Sequence, residues 1–171
     1  MKLSYSCMNN MKSMIQAHNS KILKQSARPS NHTECNCRVK DKCPIQGNCQ
    51  RSLVYKATVK TTNGQKIYIG STNNFKKRHS AHKNSFKSEK NKNATTLSAY
   101  VWENSLNPDP PIKWEVVKLV DAYKPGDKNC ELCLAEKVAI GRNADDPDSL
   151  NKRSELAAAC RHRARYKLAR L

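Results

Sequence analysis

Acidic residues are scarce: 14 Asp and Glu stand against 32 Lys and Arg in 171 residues, a formal net charge of +18. Such an excess concentrates anions near the surface and supplies phosphate contacts, so nucleic acid is the leading partner and an anionic membrane surface the competitor. Long apolar runs are missing as well. None approaches the roughly 20 residues that span a bilayer, which excludes a membrane-crossing helix. The N-terminus lacks the apolar core of a secretory signal, because Met1 to Ser20 is interrupted by Lys2, Asn9, Asn10, Lys12 and His18. The expected compartment is therefore intracellular, where thiols stay reduced.

Cysteine, in contrast, is abundant, with eight in the chain. In a reducing compartment, clustered cysteines more often hold metal than form disulfides. Cys35, Cys37, Cys43 and Cys49 fall in a polar segment, residues 31–51, that is too short to build a core of its own. A tetrahedral Zn²⁺ site would hold it together, since soft thiolates wrap one ion and binding supplies folding energy. The spacing C-x-C-x5-C-x5-C departs from the common paired C-x2-C, so unliganded or redox-active thiols are the alternative. His32 is a further possible ligand. Cys130 and Cys133 either join a second or composite zinc site or pack as buried thiols.

Ahead of this segment, residues 1–30 have the spacing of a weakly amphipathic helix from about Asn9 to Lys24, closed by Pro29 and Ser30; a disordered leader is the other reading. Behind it, Leu53–Val59 and Lys66–Ser71 alternate β-branched and aromatic residues around Asn63-Gly64, the mark of a two-stranded hairpin. With Asn63 and Gly64 at the turn centre, Val59 faces Tyr68, and Tyr55, Ala57 and Val59 share a face with Tyr68 and Gly70. In that register the two tyrosines lie about 13 Å apart along the backbone. A one-residue slip would put them on opposite faces.

Ser71 to Asn74 offers helix caps, and Phe75 to Phe86 reads as a helix with Phe75, His79, His82 and Phe86 on one stripe; Arg78 lies four residues before His82. A polar basic loop, 87–95, precedes a helix from Thr96 to Ser105, which the prolines after Asn107 end. Ile112 to Val120 is a third strand, with Ile112, Trp114, Val116 and Val120 on one face and Val117 and Leu119 on the other, both at least half covered. Cys130 to Arg142 is a helix whose apolar face carries Glu136 at its centre. A carboxylate there is costly to bury unless paired, hydrogen-bonded or metal-bound, so Glu136 is either functional or part of an internal ion pair. Leu150 to Leu156 leads into a basic helix, 157–171, with Arg161, Arg163, Arg165, Lys167 and Arg170, read either as a solvated face or as phosphate contacts.

Taken in order, these residues resemble the catalytic domain of the GIY-YIG nucleases. Leu53-Val54-Tyr55 stands at the first tripeptide, without its glycine, and Tyr68-Ile69-Gly70 matches the second. Arg78, His82, Glu136 and Asn151 follow at the family's later positions. The resemblance implies an α+β fold, a small three-stranded antiparallel sheet flanked by helices, over residues 52–156. It also implies a divalent-metal-dependent DNA endonuclease. Glu136 would bind Mg²⁺ or Mn²⁺, a hard cation suited to a carboxylate, and Arg78 the scissile phosphate. Tyr55 would act as general base or water-orienting group, which calls for a lowered phenol pKa. Tyr68 and His82 would position water or phosphate, with His82 an alternative base. Asn151 would hydrogen-bond within the site or cap the last helix.

The flanking Cys-rich segment, Cys130-Glu131-Leu132-Cys133 and Leu150 to Leu156 look like the endonucleases of Penelope-like retroelements. That likeness implies a nuclear enzyme that nicks DNA to prime integration. It also implies a connector, residues 1–30, to a reverse transcriptase in a larger polyprotein. DNA is the expected partner, with RNA possible. The competing readings are a non-catalytic zinc module that binds nucleic acid and a repair or junction-resolving nuclease.

Overall fold

The computed structural model describes residues 11–26, 35–39, 43–61, 64–104, 110–124 and 127–162. Asn63, His32, the connector's ends at 1–10 and 27–30, the proline stretch 105–109 and the basic tail 163–171 lie outside the described residues. Helix α1, Met11–Ser26, comes first and leaves Met11 and Met14 exposed. Strand β1, Leu53–Thr61, strand β2, Gly64–Thr72, and strand β3, Ile112–Leu119, form one antiparallel sheet in the order β2-β1-β3. The expected α+β architecture is thus present, with helices on both sheet faces.

Helix α2, Phe75–Lys87, is capped by Asn74, whose side chain accepts from the Lys77 N–H. Helix α3, Thr96–Glu103, opens on a Thr95/Ser98 capping box. These polar residues satisfy donors that the first helical turn leaves unpaired. The Trp102 indole donates to the Ser85 carbonyl at 2.8 Å and ties α3 to α2.

β1 is the central strand and has a core on each side. Leu53, Tyr55, Ala57 and Val59 pack with Tyr68, Phe75, Phe86, Leu97 and Val101, and Cys43, Ile45 and Cys49 join the same cluster. On the opposite face, Val54 and Ile69 pack with Val120 and with Leu132, Ala139 and Ile140 of helix α4, Glu131–Arg142. Alternation along β1 sends successive side chains to opposite faces, which explains why its first three residues, Leu53, Val54 and Tyr55, are all buried and apolar. The Cys-rich segment is not an isolated appendage: Ile45 and Cys49 are buried, and the Lys76 N–H at the start of α2 donates to the Cys49 carbonyl at 2.8 Å.

The hairpin register differs from the expected one by two residues. Thr61 pairs with Gly64, Ala57 with Tyr68, and Tyr55 with Gly70. The connection is therefore 62–63, and Gly64, at φ +127°, is the first residue of β2 and not the second turn residue. A side chain rarely adopts that φ, so glycine is needed where the chain re-enters the sheet. An even shift preserves the face, and Tyr68 now sits two residues from the partner of Tyr55 instead of four.

Strict alternation along β3 also fails. Tyr55 pairs with Val116 but Val54 pairs with Lys118, so Val117 is the extra residue of a β-bulge. Beyond the bulge the faces exchange, and Val120 joins the α4 core, not the face of Trp114. Val117 and Leu119, expected to be at least half covered, are 47% and 38% exposed, so that face is covered only a little beyond half.

The free edge of β2 is covered. The Ile67 N–H donates to the Asp148 carbonyl at 2.8 Å, and the Leu150 N–H to the Ile67 carbonyl at 2.7 Å. The chain then makes helix α5, only Ser154–Ala157, and breaks at Ala158 before a helical turn at Arg161 and His162. The long basic helix expected from 157 is thus interrupted within the described residues.

Candidate active site

Tyr55 is the centre of a buried polar chain. Its ring is enclosed by Phe75 at 5.2 Å, Trp114 at 5.7 Å and Tyr68 at 6.3 Å between centroids. Its hydroxyl lies 2.8 Å from His82 Nε2 and 3.1 Å from Arg78 Nε. Arginine can only donate, so the Tyr55 oxygen accepts from Arg78, and its own proton is free to go to His82 Nε2 in the Nδ1–H tautomer of the imidazole. In that tautomer His82 Nε2 is the acceptor and the imidazole is neutral. Burial, reinforced by Arg78 and His79, agrees with this by holding His82 down to about 3. Burial also raises the Tyr55 phenol above its ordinary value, against the lowered pKa expected of a general base. Tyr68 is raised for the same reason. For Arg78, burial acts to lower the pKa, but the oxygens of Tyr55 and Tyr68 more than offset it, so the guanidinium stays charged.

Gly70 is packed against this group. A Cβ there would meet Tyr55 Oη at 2.6 Å and Cζ at 2.8 Å. The glycine of the second tripeptide therefore makes room for the tyrosine of the first, a role that the sequence reading did not assign.

A cleft of about 410 Å³ opens beside the chain, lined by Tyr68 and Arg78 from one side of the sheet and Glu136 and Ile140 from α4 on the other. Glu136, on its wall, keeps 15% of its side chain exposed, and its Oε1 lies 3.7 Å from Arg161 Nη2. Tyr55 and His82 stand behind Arg78 and do not line the cleft. The cleft also holds a second carboxylate, Glu155, which had not been singled out; its spacing of four from Asn151 was the available signal. Hard carboxylate oxygens on a cleft wall opposite an arginine suit a divalent cation and a phosphate together.

Asn151 reaches the site indirectly. Its Oδ1 accepts from the Ile69 N–H at 2.7 Å, and its Nδ2 donates to the Ile69 carbonyl at 2.8 Å and to Glu155 Oε2 at 2.9 Å. It clamps the residue between Tyr68 and Gly70 and orients Glu155.

The thiols of Cys35, Cys37, Cys43 and Cys49 converge, with all four sulfurs within 4.8 Å of one another. Cys49 Sγ is 3.5 Å from Cys35 Sγ and 3.6 Å from Cys37 Sγ. Sulfurs about 2.3 Å from one zinc lie roughly 3.8 Å apart, so the cluster has the size of a tetrahedral thiolate site. The Cys37 N–H donates to Cys35 Sγ and lowers Cys35 to about 7, while Cys37 is pushed up to about 12, chiefly through its hydrogen bond with Cys35.

The three-stranded sheet and its helices thus bring one tyrosine, Tyr68, an arginine and a helix-borne glutamate to one cleft, with the second tyrosine, Tyr55, holding the arginine from behind. The model of the GIY-YIG catalytic domain matches residues 52–144, more than half of the chain, and the protein belongs to the GIY-YIG family of nucleases. No curated protein and no solved structure matches the chain. Nucleases of this family are divalent-metal dependent, and a nuclease domain implies a DNA substrate. No helix among the described residues is long and apolar enough to cross a membrane.

Proposed function

We propose that the chain is a divalent-metal-dependent endonuclease that hydrolyses DNA phosphodiester bonds in the Tyr68–Arg78–Glu136 cleft. The observation that carries this is the Arg78 guanidinium, held in place by Tyr55 and aimed into a cleft that also presents Glu136. Phosphodiester cleavage concentrates negative charge on the phosphorane. Arg78, kept protonated, neutralises part of it with its remaining N–H donors. Tyr55 accepts from Arg78 and donates to His82, so the two fix the angle at which the guanidinium meets the phosphate. Tyr68, on the cleft wall, orients the attacking water, the role expected of it, while Tyr55 supports Arg78 in place of the base or water-orienting role expected there. Asn151 holds the backbone between Tyr68 and Gly70 and thereby the height of the Tyr68 ring. Glu136 would hold Mg²⁺ or Mn²⁺, which supplies charge neutralisation at the phosphate and the leaving oxygen. Cys35, Cys37, Cys43 and Cys49 would bind a structural Zn²⁺ that supports the start of α2 and hence Arg78.

Nicking of supercoiled plasmid with Mg²⁺ tests the proposal. Arg78→Ala and Glu136→Ala each lose at least 10²-fold in rate, the scale of removing one preorganised charge partner, while retaining DNA binding. Undiminished nicking by either variant sinks the assignment, and a wild-type chain that binds but never nicks favours a non-catalytic zinc module. The finer proposal is a nuclear enzyme that primes integration of a Penelope-like retroelement beside a reverse transcriptase. It is supported by the flanking Cys-rich segment and Cys130/Cys133. Sequenced ends bearing a 3′-hydroxyl on plasmid DNA support it, whereas preference for flap or junction substrates supports a repair nuclease.

A further inference from the structure

Three thiols and one imidazole meet beside the cleft, at the start of α4. Cys130 is the residue before the first turn, Cys133 lies within that turn, and Cys160 and His162 come from the chain beyond α5. Their four ligand atoms all lie within 4.8 Å of one another. Cys133 Sγ is 3.4 Å from Cys160 Sγ and 3.2 Å from His162 Nδ1, and Cys130 Sγ is 3.6 Å from the same nitrogen. One zinc with sulfur at about 2.3 Å and nitrogen at about 2.0 Å sets tetrahedral edges of roughly 3.5–3.8 Å, close to these separations.

We propose that Cys130, Cys133, Cys160 and His162 bind one Zn²⁺, separate from the Cys35–Cys49 cluster, and that this ion fastens the chain after α5 to α4 so that Arg161 faces Glu136. Binding releases the three thiol protons to solvent and leaves His162 neutral, with Nδ1 as its ligand atom. Apolar burial contributes little to the attachment of this segment: only Leu156 and Cys160 pack, partly buried, against the α4 core. Ala157, Ala158 and Ala159 are exposed, and no large apolar side chain lies between Leu156 and His162. Two ligands separated by one residue leave the intervening Arg161 directed away from the ion. Arg161 lines the cleft and approaches Glu136 at 3.7 Å. Two of the ligands belong to the helix that carries Glu136, with Cys133 one turn before it, so the ion sets the distance between a cleft carboxylate and a cleft arginine. On the nuclease reading, on which this last part rests, Arg161 is positioned to meet a phosphate oxygen of the bound DNA.

Native mass spectrometry of the full chain in the presence of a competing chelator tests the metal site. The expected result is two zincs in the wild type and one after Cys160→Ser or Cys133→Ser. Cys35→Ser also leaves one. Cobalt substitution gives a readout that does not depend on variants folding: the wild type shows a three-sulfur, one-nitrogen spectrum alongside a four-sulfur one. Two zincs retained after Cys160→Ser, or a single four-sulfur cobalt spectrum in the wild type, overturns the site. Positioning is read from nicking. Arg161→Ala and Cys160→Ser lower the rate by about the same factor, and the double variant is no worse than either alone. Additive losses overturn the positioning while the zinc count stands. A wild type that never nicks refutes the nuclease reading and leaves the zinc count to decide the metal site.

Discussion

At the residue scale, the site is held together by one proton and one missing methyl group. The proton is that of Tyr55, shared in the 2.8 Å bond with a neutral His82 while the phenol oxygen accepts from Arg78. His82 is held down to about 3, below its ordinary 6.5, so the folded state keeps it neutral where the unfolded chain takes up a proton. Its contribution to stability is complete above pH 6.5 and is lost as pH falls toward 3, at up to about 1.4 kcal/mol per pH unit. Urea unfolding between pH 7 and pH 5, above the range where carboxylates titrate, shows this decline in the wild type and not in His82→Gln; an equal slope in both refutes it. The missing methyl group is at Gly70. Gly70→Ala drives a Cβ into the Tyr55 phenol at 2.6 Å, an overpacking that costs about 1–3 kcal/mol. Because it displaces Tyr55 from Arg78, nicking falls at least tenfold even at temperatures where circular dichroism shows the variant folded. An active, equally stable Gly70→Ala overturns this account. Tyr55, Tyr68, Arg78, His82, Glu136 and Asn151 were singled out in the sequence by their ordered match to the GIY-YIG pattern, and Glu136 also by its place on an apolar helix face. Their division into cleft-facing and supporting groups was not, because it depends on which side chain stands behind Arg78. Glu155, and the place of Arg161 beside Glu136, were hidden for a similar reason: both residues reach the cleft through a chain reversal that no local period encodes, although Arg161 had been read as a candidate phosphate contact.

At the scale of elements, the sheet, hairpin and helices could be read, while their registers could not. An Asn-Gly pair marks a turn but leaves open which two residues occupy its centre, and here Gly64 enters β2 with its positive φ. That two-residue difference brings Tyr68 near Tyr55. The β3 bulge at Val117 was equally silent, since Val116-Val117 reads as strand in either register. The cover on the β2 edge was missed because residues 148–151 look like a polar loop. Yet Asn151 makes the contacts of a strand partner, bonding both backbone groups of Ile69. Asn151→Ala leaves that N–H and carbonyl unpaired at a partly buried edge, a loss of about 1–3 kcal/mol. Amide exchange at Ile69 should accelerate far more than at Ala57 in the central strand, and nicking should fall with it. Unchanged protection at Ile69 would show that the clamp does not hold the edge.

At the scale of the whole molecule, charge dominates. A net +18 exceeds what a single cleft needs, and the sequence closes on Arg163, Arg165, Lys167 and Arg170. Lysines and arginines that neutralise phosphates release condensed counterions, so log affinity falls with log salt at about 0.9 per phosphate contacted. Contact with six or more phosphates predicts a loss of roughly 10³-fold or more between 50 and 200 mM salt. Glu136→Ala contributes no phosphate contact and should leave that slope unchanged while abolishing cleavage, separating chemistry from attachment. Removing residues 163–171 should lower the slope by up to about 3.6, four contacts at 0.9 each. The rate of nicking at saturating DNA should persist, because the cleft residues and the proposed zinc ligands all precede residue 163. Fluorescence anisotropy across a salt series measures the slope, and single-turnover nicking measures the rate. A truncated chain with the full slope would assign the phosphate contacts to the folded domain, and one that binds normally but no longer nicks would place part of the active site in the tail.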